Sequence, residues 1–107
     1  MVEERTHIIE LLRQFANSIS AEFSISKVLL YGSYAKDSAN EFSDIDVAVI
    51  FNQDENTDKI SATKKLYKTA LKINPKIEPR CFFYNETINA EPASILNEII
   101  RTGLVIS

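Results

Sequence analysis

Residues 27–51 read KVLLYGSYAKDSANEFSDIDVAVIF, and this stretch decides the fold. Lys27 to Tyr31 is a short apolar run that stops at Gly32, the pattern of a buried strand with a tight exit. Asp44 to Phe51 is rich in β-branched and aromatic residues and reads as a second strand. Between them, Ser33 to Asn40 reads as a short helix or a loop. A link of about a dozen residues is short for a full helical crossover, so the two strands are expected to belong to a mixed sheet.

Working outward, Glu3 to about Ile19 places Ile8, Leu11, Leu12, Phe15 and Ile19 at spacings of three and four, an amphipathic helix. From Thr57 to Ile73, the residues Ile60, Thr63, Leu66, Tyr67, Ala70 and Leu71 repeat at helical spacing. They are expected inward, with Lys64, Lys68 and Lys72 on the solvated face. Pro75 ends this helix, because the residue before a proline avoids the helical region. Ile77 to Tyr84 is a third strand, and Pro79 implies an edge or irregular position. Pro92 opens a third helix with Ile95, Leu96, Ile99 and Ile100 inward; Gly103 caps it, and Leu104 to Ile106 forms a last short strand. The expectation is one domain over residues 1–107, α/β in composition (α+β), with a small mixed sheet and helices packed mainly on one face.

Composition narrows the class. The chain has 107 residues, so it has no room for a catalytic domain plus a separate substrate domain. With 45% hydrophobic residues it can build a core and is not a disordered chain. A single cysteine, Cys81, excludes an internal disulfide and reads as a small core residue in a reducing compartment. His7, the one histidine, reads as an exposed or capping group near a helix start. No apolar run reaches membrane-spanning length, and the charged start lacks a signal peptide's apolar core. A cytoplasmic protein without membrane contact is expected. A net charge of −3 gives no global attraction to nucleic acid.

Two features carry chemistry. Asp44 and Asp46 alternate onto the same face of the second strand, with Ile45, Val47 and Val49 on the other. Two adjacent carboxylates repel, and a shared cation removes that cost. Oxygen ligands without His or Cys suit a hard ion such as Mg²⁺, which commonly binds carboxylates together with substrate phosphates. Gly32 and Ser33 can hold those phosphates: glycine permits close backbone approach, Ser33 adds a hydroxyl, and a helix start would point free N–H groups at an anion. Glu78 in the third strand is the candidate third carboxylate, able to complete a metal site and to accept a proton from an attacking hydroxyl. Arg80 shares its face and can bind phosphate or pair with the acids. Tyr31, Tyr34 and Lys36 flank the proposed phosphate turn; Tyr34 and Lys36 can touch nucleotide or partner, Tyr31 can equally pack in the core, and Phe82 with Tyr84 can form a base-binding wall or cover the sheet edge.

Leu29 to Ser33, Ser43 to Val47 and Ile77 to Pro79 together resemble the signature of the minimal nucleotidyltransferases of the DNA polymerase beta superfamily. That signature is an apolar strand ending in Gly-Ser, then Asp-x-Asp in a second strand, then an acid in a later one. The resemblance spans nearly the whole chain. It implies a nucleotidyltransferase fold and Mg²⁺, as two ions, at Asp44, Asp46 and Glu78. It implies transfer of a nucleoside monophosphate, usually from ATP, with release of pyrophosphate; with the residue reading above, nucleotide contacts are expected at Gly32, Ser33, Lys36 and Arg80. Small members of the family are often antitoxins that adenylylate a tyrosine on a helical HEPN ribonuclease, which makes such a protein the expected partner. Two alternatives stand beside this reading: a small-molecule nucleotidyltransferase of the antibiotic-modifying type that uses a helical partner subunit, and a non-catalytic binding antitoxin. The last draws on one departure from the family, Asp37 in place of the usual Gly.

Overall fold

The computed structural model describes residues 5–40 and 42–107. Its elements are α1 (Arg5–Ser20), β1 (Ile25–Tyr31), a 3-10 turn (Gly32–Tyr34), β2 (Ile45–Phe51), α2 (Lys59–Ile73), β3 (Ile77–Phe83), α3 (Tyr84–Ile88), α4 (Ile95–Thr102) and β4 (Leu104–Val105). The sheet order is β3-β2-β1-β4. β1 pairs antiparallel with both β2 and β4, and β3 runs parallel to β2, so the sheet is mixed. The short β1–β2 link forces the antiparallel pair, while the parallel return to β3 needs a crossover, which α2 supplies. Pro79 lies in an edge strand, where a missing N–H does not interrupt a central ladder.

The two long helices cover one face. Ile8, Leu12 and Phe15 of α1 and Leu66 and Ala70 of α2 close over Val28, Leu30, Ile45, Val47, Val49 and Phe51. Side chains of this size each contribute about 1.5–3 kcal/mol when removed from water. The opposite face is divided along its length. Leu29, Ala48, Ile50 and Phe82 form an apolar patch beneath Leu96 and Ile99 of α4. Beyond that patch the same alternation places Tyr31, Asp46 and Glu78.

Several boundaries differ from the sequence expectation. Glu3 lies outside the described residues. α2 begins at Lys59 because Asp58 caps it, its carboxylate accepting from the Ser61 N–H at 2.8 Å. The α2 stripe that reaches the core is narrow, Ala62, Leu66 and Ala70, while Ile60, Tyr67 and Leu71 are exposed. Alanines on either side of Leu66, eight residues apart, let the helix approach closely, and only one row of side chains then fits beneath it. Pro92 sits in a turn and does not open α4; Ser94 is the cap, accepting from the Asn97 N–H at 3.1 Å. Leu96 and Ile99 are inward, but Ile95 and Ile100 are exposed. Gly103 caps α4, donating its N–H to the Ile99 carbonyl at 2.7 Å. β3 ends one residue before Tyr84, which starts α3, a helix too short to show periodicity.

These burials set a contrast. Phe15→Ala is expected to cost about 3–5 kcal/mol in denaturant unfolding. Ile60→Ala, at a helical position of similar apolar pattern, is expected to stay within about 0.5 kcal/mol.

Candidate active site

The site is built by register. Tyr31 of β1 lies opposite Asp46 of β2, and Asp46 lies opposite Glu78 of β3, so one row across three strands carries all three groups. Side chains directly across neighbouring strands sit about 5 Å apart at Cβ. Asp44 precedes β2 by one residue and is exposed. No described group of three His, Cys, Asp or Glu residues closes on a common point as the side chains stand. Mutual repulsion between uncompensated carboxylates favours such separation.

Burial and like charge act together here. The carboxyl of Asp46 is pushed above the usual carboxylate range, first by burial and then by the charges of Glu78 and Asp44. The Tyr31 phenol is also raised, by burial and by Asp46, while Arg80 acts in the opposite direction as a hydrogen-bond partner and a cation. Arg80 also lies over the Phe82 ring, 5.6 Å from its centroid. It thus stands on the acidic face as expected, and it is exposed and able to reach an anion.

Gly32 is held against this row. Its φ is +75°, and a Cβ there would collide with the Asp46 carboxylate. Only glycine gives both the left-handed turn and the close approach. Ser33 and Tyr34 complete a 3-10 turn of three residues rather than a longer helix, so the turn carries no helix dipole of the kind a longer helix start would offer an anion. Tyr34 is not available to a nucleotide or partner: it is buried in the core, and its hydroxyl has no partner among the described residues. Lys36 leaves the turn toward α4, where Nζ donates to Glu98 Oε1 at 3.4 Å.

The turn has a clamp that no sequence motif signals. The Arg5 guanidinium donates to the Tyr34 carbonyl at 3.2 Å and to the Ala35 carbonyl at 2.8 Å. It also pairs with Asp37 Oδ1 at 3.1 Å. Asp37 adopts φ +57°, the left-handed conformation for which glycine is the default. The residue therefore keeps the backbone conformation of a glycine, and its carboxylate is tied to α1.

A groove of about 700 Å³ runs along the open edge of β3 beside the acidic row. Residues 78–82 form its floor, and Tyr31 and Asp46 close one side. Lys59, Thr63 and Tyr67 of α2 wall it at successive helical turns. Lys59 bridges to Glu86 of α3 and lies over the Phe82 and Phe83 rings. Gly32, Ser33, Lys36 and Asp44 do not line this groove. Lys59, Thr63 and Tyr67 escaped the sequence reading because helical periodicity assigned that flank of α2 to core or solvent. Of the proposed base wall, Phe82 lines the groove while Tyr84 sits on α3 outside it. Cys81 is buried and its thiol is pushed up to about 11 by burial, which makes it an inert core group.

The sequence matches the family described as "Polymerase beta, Nucleotidyltransferase" over residues 13–107. The chain belongs to this nucleotidyltransferase family. Among its relatives is the protein named "Putative protein adenylyltransferase MJ0604" of Methanocaldococcus jannaschii, 32% identical over 80 residues, which are 73% of this chain and 79% of the relative. A crystal structure described as "a putative nucleotidyltransferase from Sulfolobus solfataricus" superposes with a TM-score of 0.66 at 13% identity, covering 95% of this chain and 81% of that one. That likeness establishes the fold.

Two outcomes test the geometry. Because both Asp37 replacements lose the Arg5 ion pair, Asp37→Gly should be more stable than Asp37→Ala by about 1 kcal/mol in thermal or chemical unfolding, the difference reporting the left-handed backbone. The raised carboxyl of Asp46 means that the folded state holds an extra proton between the unfolded pKa and the folded one. Stability then falls as pH rises through that window. Without divalent cations, Asp46→Asn should melt higher than wild type at neutral pH, with the difference vanishing below about pH 4.

Proposed function

We propose that this nucleotidyltransferase uses Mg²⁺ and ATP to transfer AMP to a hydroxyl on another protein, with a tyrosine of a helical HEPN-type toxin as the acceptor. The observation that carries this reading is the row Tyr31, Asp46, Glu78, with the Gly32 backbone held against Asp46. The name of the Methanocaldococcus relative supports a protein acceptor and an adenylyl group.

The donor chemistry fits a hard divalent ion. Asp44, Asp46 and Glu78 offer oxygen only, and the raised carboxyl of Asp46 reflects like charge that a cation would relieve. Bound there, Mg²⁺ would neutralise phosphate charge and stabilise the charge that develops during in-line displacement. The protein's own groups do the rest. Amides of the Gly32–Ser33 turn and the Ser33 hydroxyl hold phosphate oxygens, and Arg5 fixes that turn by occupying its carbonyls. Arg80 neutralises further phosphate charge. Glu78 accepts the proton of the attacking hydroxyl, and the edge groove orients the acceptor beside it.

Tyr67 of the groove wall and, on the same helix, Ile60 and Leu71 are exposed, which supports a surface for a protein partner. The non-catalytic reading rested on Asp37 placing a negative charge at the phosphate turn. Its carboxylate is instead engaged by Arg5, which removes the main support for that alternative. Among the described residues no helix is long and apolar enough to cross a membrane.

Incubation with labelled ATP, Mg²⁺ and a co-expressed helical partner should place label on the partner. An Asp44→Ala, Asp46→Ala double mutant should lose at least about 100-fold in transfer, comparable to losing preorganised charge stabilisation elsewhere. Equal transfer by both proteins would refute the reading. A non-hydrolysable ATP analogue with Mg²⁺ at a hundred times its dissociation constant should add about 2.7 kcal/mol of stability to wild type.

A further inference from the structure

The chain carries four tyrosines, and they occupy four different environments. Tyr34 is buried in the core. Tyr84 lies on α3, outside the groove beside the acidic row. Tyr31 is half-buried in β1, and its hydroxyl interacts with Arg80. Tyr67 alone combines exposure with a place in the groove: 41% of its surface is open, and it shares the lining with Asp46 and Glu78. It makes no hydrogen bond among the described residues. Its position one helical turn beyond Thr63 and two beyond Lys59 puts it on the α2 flank that overhangs β3.

We propose that Tyr67 is an acceptor built into the chain: with a nucleoside triphosphate in the groove, the protein transfers a nucleoside monophosphate to its own Tyr67 hydroxyl. This rests on the nucleotidyltransferase reading of the same site and names one acceptor for it. A new bond forms between Tyr67 Oη and the α-phosphorus, giving a phenolic phosphodiester. The bond from the α-phosphorus to the oxygen bridging the α- and β-phosphates breaks, and its electron pair leaves with pyrophosphate. The phenolic proton passes to the Glu78 carboxylate and from there to water. No oxidant or further reactant is needed.

The electrostatics agree with the placement. Burial first, then the charges of Glu78, Asp44 and Asp46, raise the Tyr67 phenol above its ordinary value. The charges of all three candidate metal ligands thus bear on this one phenol. The phenol stays protonated at neutral pH, so transfer requires a base, and Glu78 is the carboxylate with the largest influence on it. An adduct on Tyr67 would stay in the groove, so the reaction would stop at one nucleotide per chain.

The test is to incubate the purified full chain with α-labelled ATP and Mg²⁺, then read intact mass and map the modified peptide. The expected result is a single adenylyl adduct on Tyr67, formed at a rate per molecule that does not depend on protein concentration. Tyr67→Phe should lose the adduct and, since the side chain is exposed, should melt as wild type does. The Asp44→Ala, Asp46→Ala double mutant should remain unlabelled even when mixed with wild type. An adduct mapped elsewhere, undiminished labelling of Tyr67→Phe, or labelling of the double mutant by wild-type copies would each overturn the proposal.

A second readout needs no turnover. Tetranitromethane should nitrate Tyr67 in the free protein, and a non-hydrolysable ATP analogue with Mg²⁺ should shield it while leaving Tyr84 reactive. Unchanged nitration of Tyr67 despite a nucleotide-induced thermal shift would also overturn it. Absence of both a thermal shift and label on any acceptor would sink the parent reading along with this one. A thermal shift with transfer to another protein and none to Tyr67 would sink this proposal alone.

Discussion

Asp46 sits where three constraints meet. The sheet register puts it between Tyr31 and Glu78, the alternation of β2 turns it away from the α1–α2 core, and the Gly32 backbone presses against its carboxylate. Like charge from Glu78 and Asp44 makes this an uncomfortable place for an anion. Everything near the site can be understood as arrangements that keep Asp46 there: a glycine that leaves room for it, a strand core that fixes the register, and an arginine that holds the following turn.

The same sheet face explains how one small domain has both a core and an acidic surface. Rows formed by Leu29, Ala48, Ile50 and Phe82 are covered by α4, while the next row, Tyr31, Asp46 and Glu78, lies at the uncovered end. A single period-two alternation therefore supplies hydrophobic anchoring at one end and charge at the other. Moving the register by one residue would exchange Asp46 for Ile45 or Val47 on this face, losing the site and exposing the core together. Fold and chemistry are specified by the same pairing.

Most of this was legible in local pattern. The strands around Gly32 and Asp46, the crossover helix, the edge position signalled by Pro79 and the shared face of Asp46 and Glu78 follow from alternation and turn chemistry. What the pattern did not carry was anything that depends on how elements meet. The role of Arg5 needs α1 laid across the turn, thirty residues away in the chain. Tyr67 and Ile60 obey the same helical spacing as Leu66, and only the narrow Ala62–Leu66–Ala70 contact decides that they stay outside. The departure at Asp37 likewise looked like an intruding charge until its backbone conformation and its ion pair were placed together.

Pro79 has a consequence for how this molecule behaves in company. The groove lies along a terminal strand, and an uncovered strand edge invites other chains to zip onto it by backbone pairing. Proline removes one donor from that edge, and its exposed neighbours Glu78 and Arg80 add charge on either side. This edge is thereby made a poor template for aggregation.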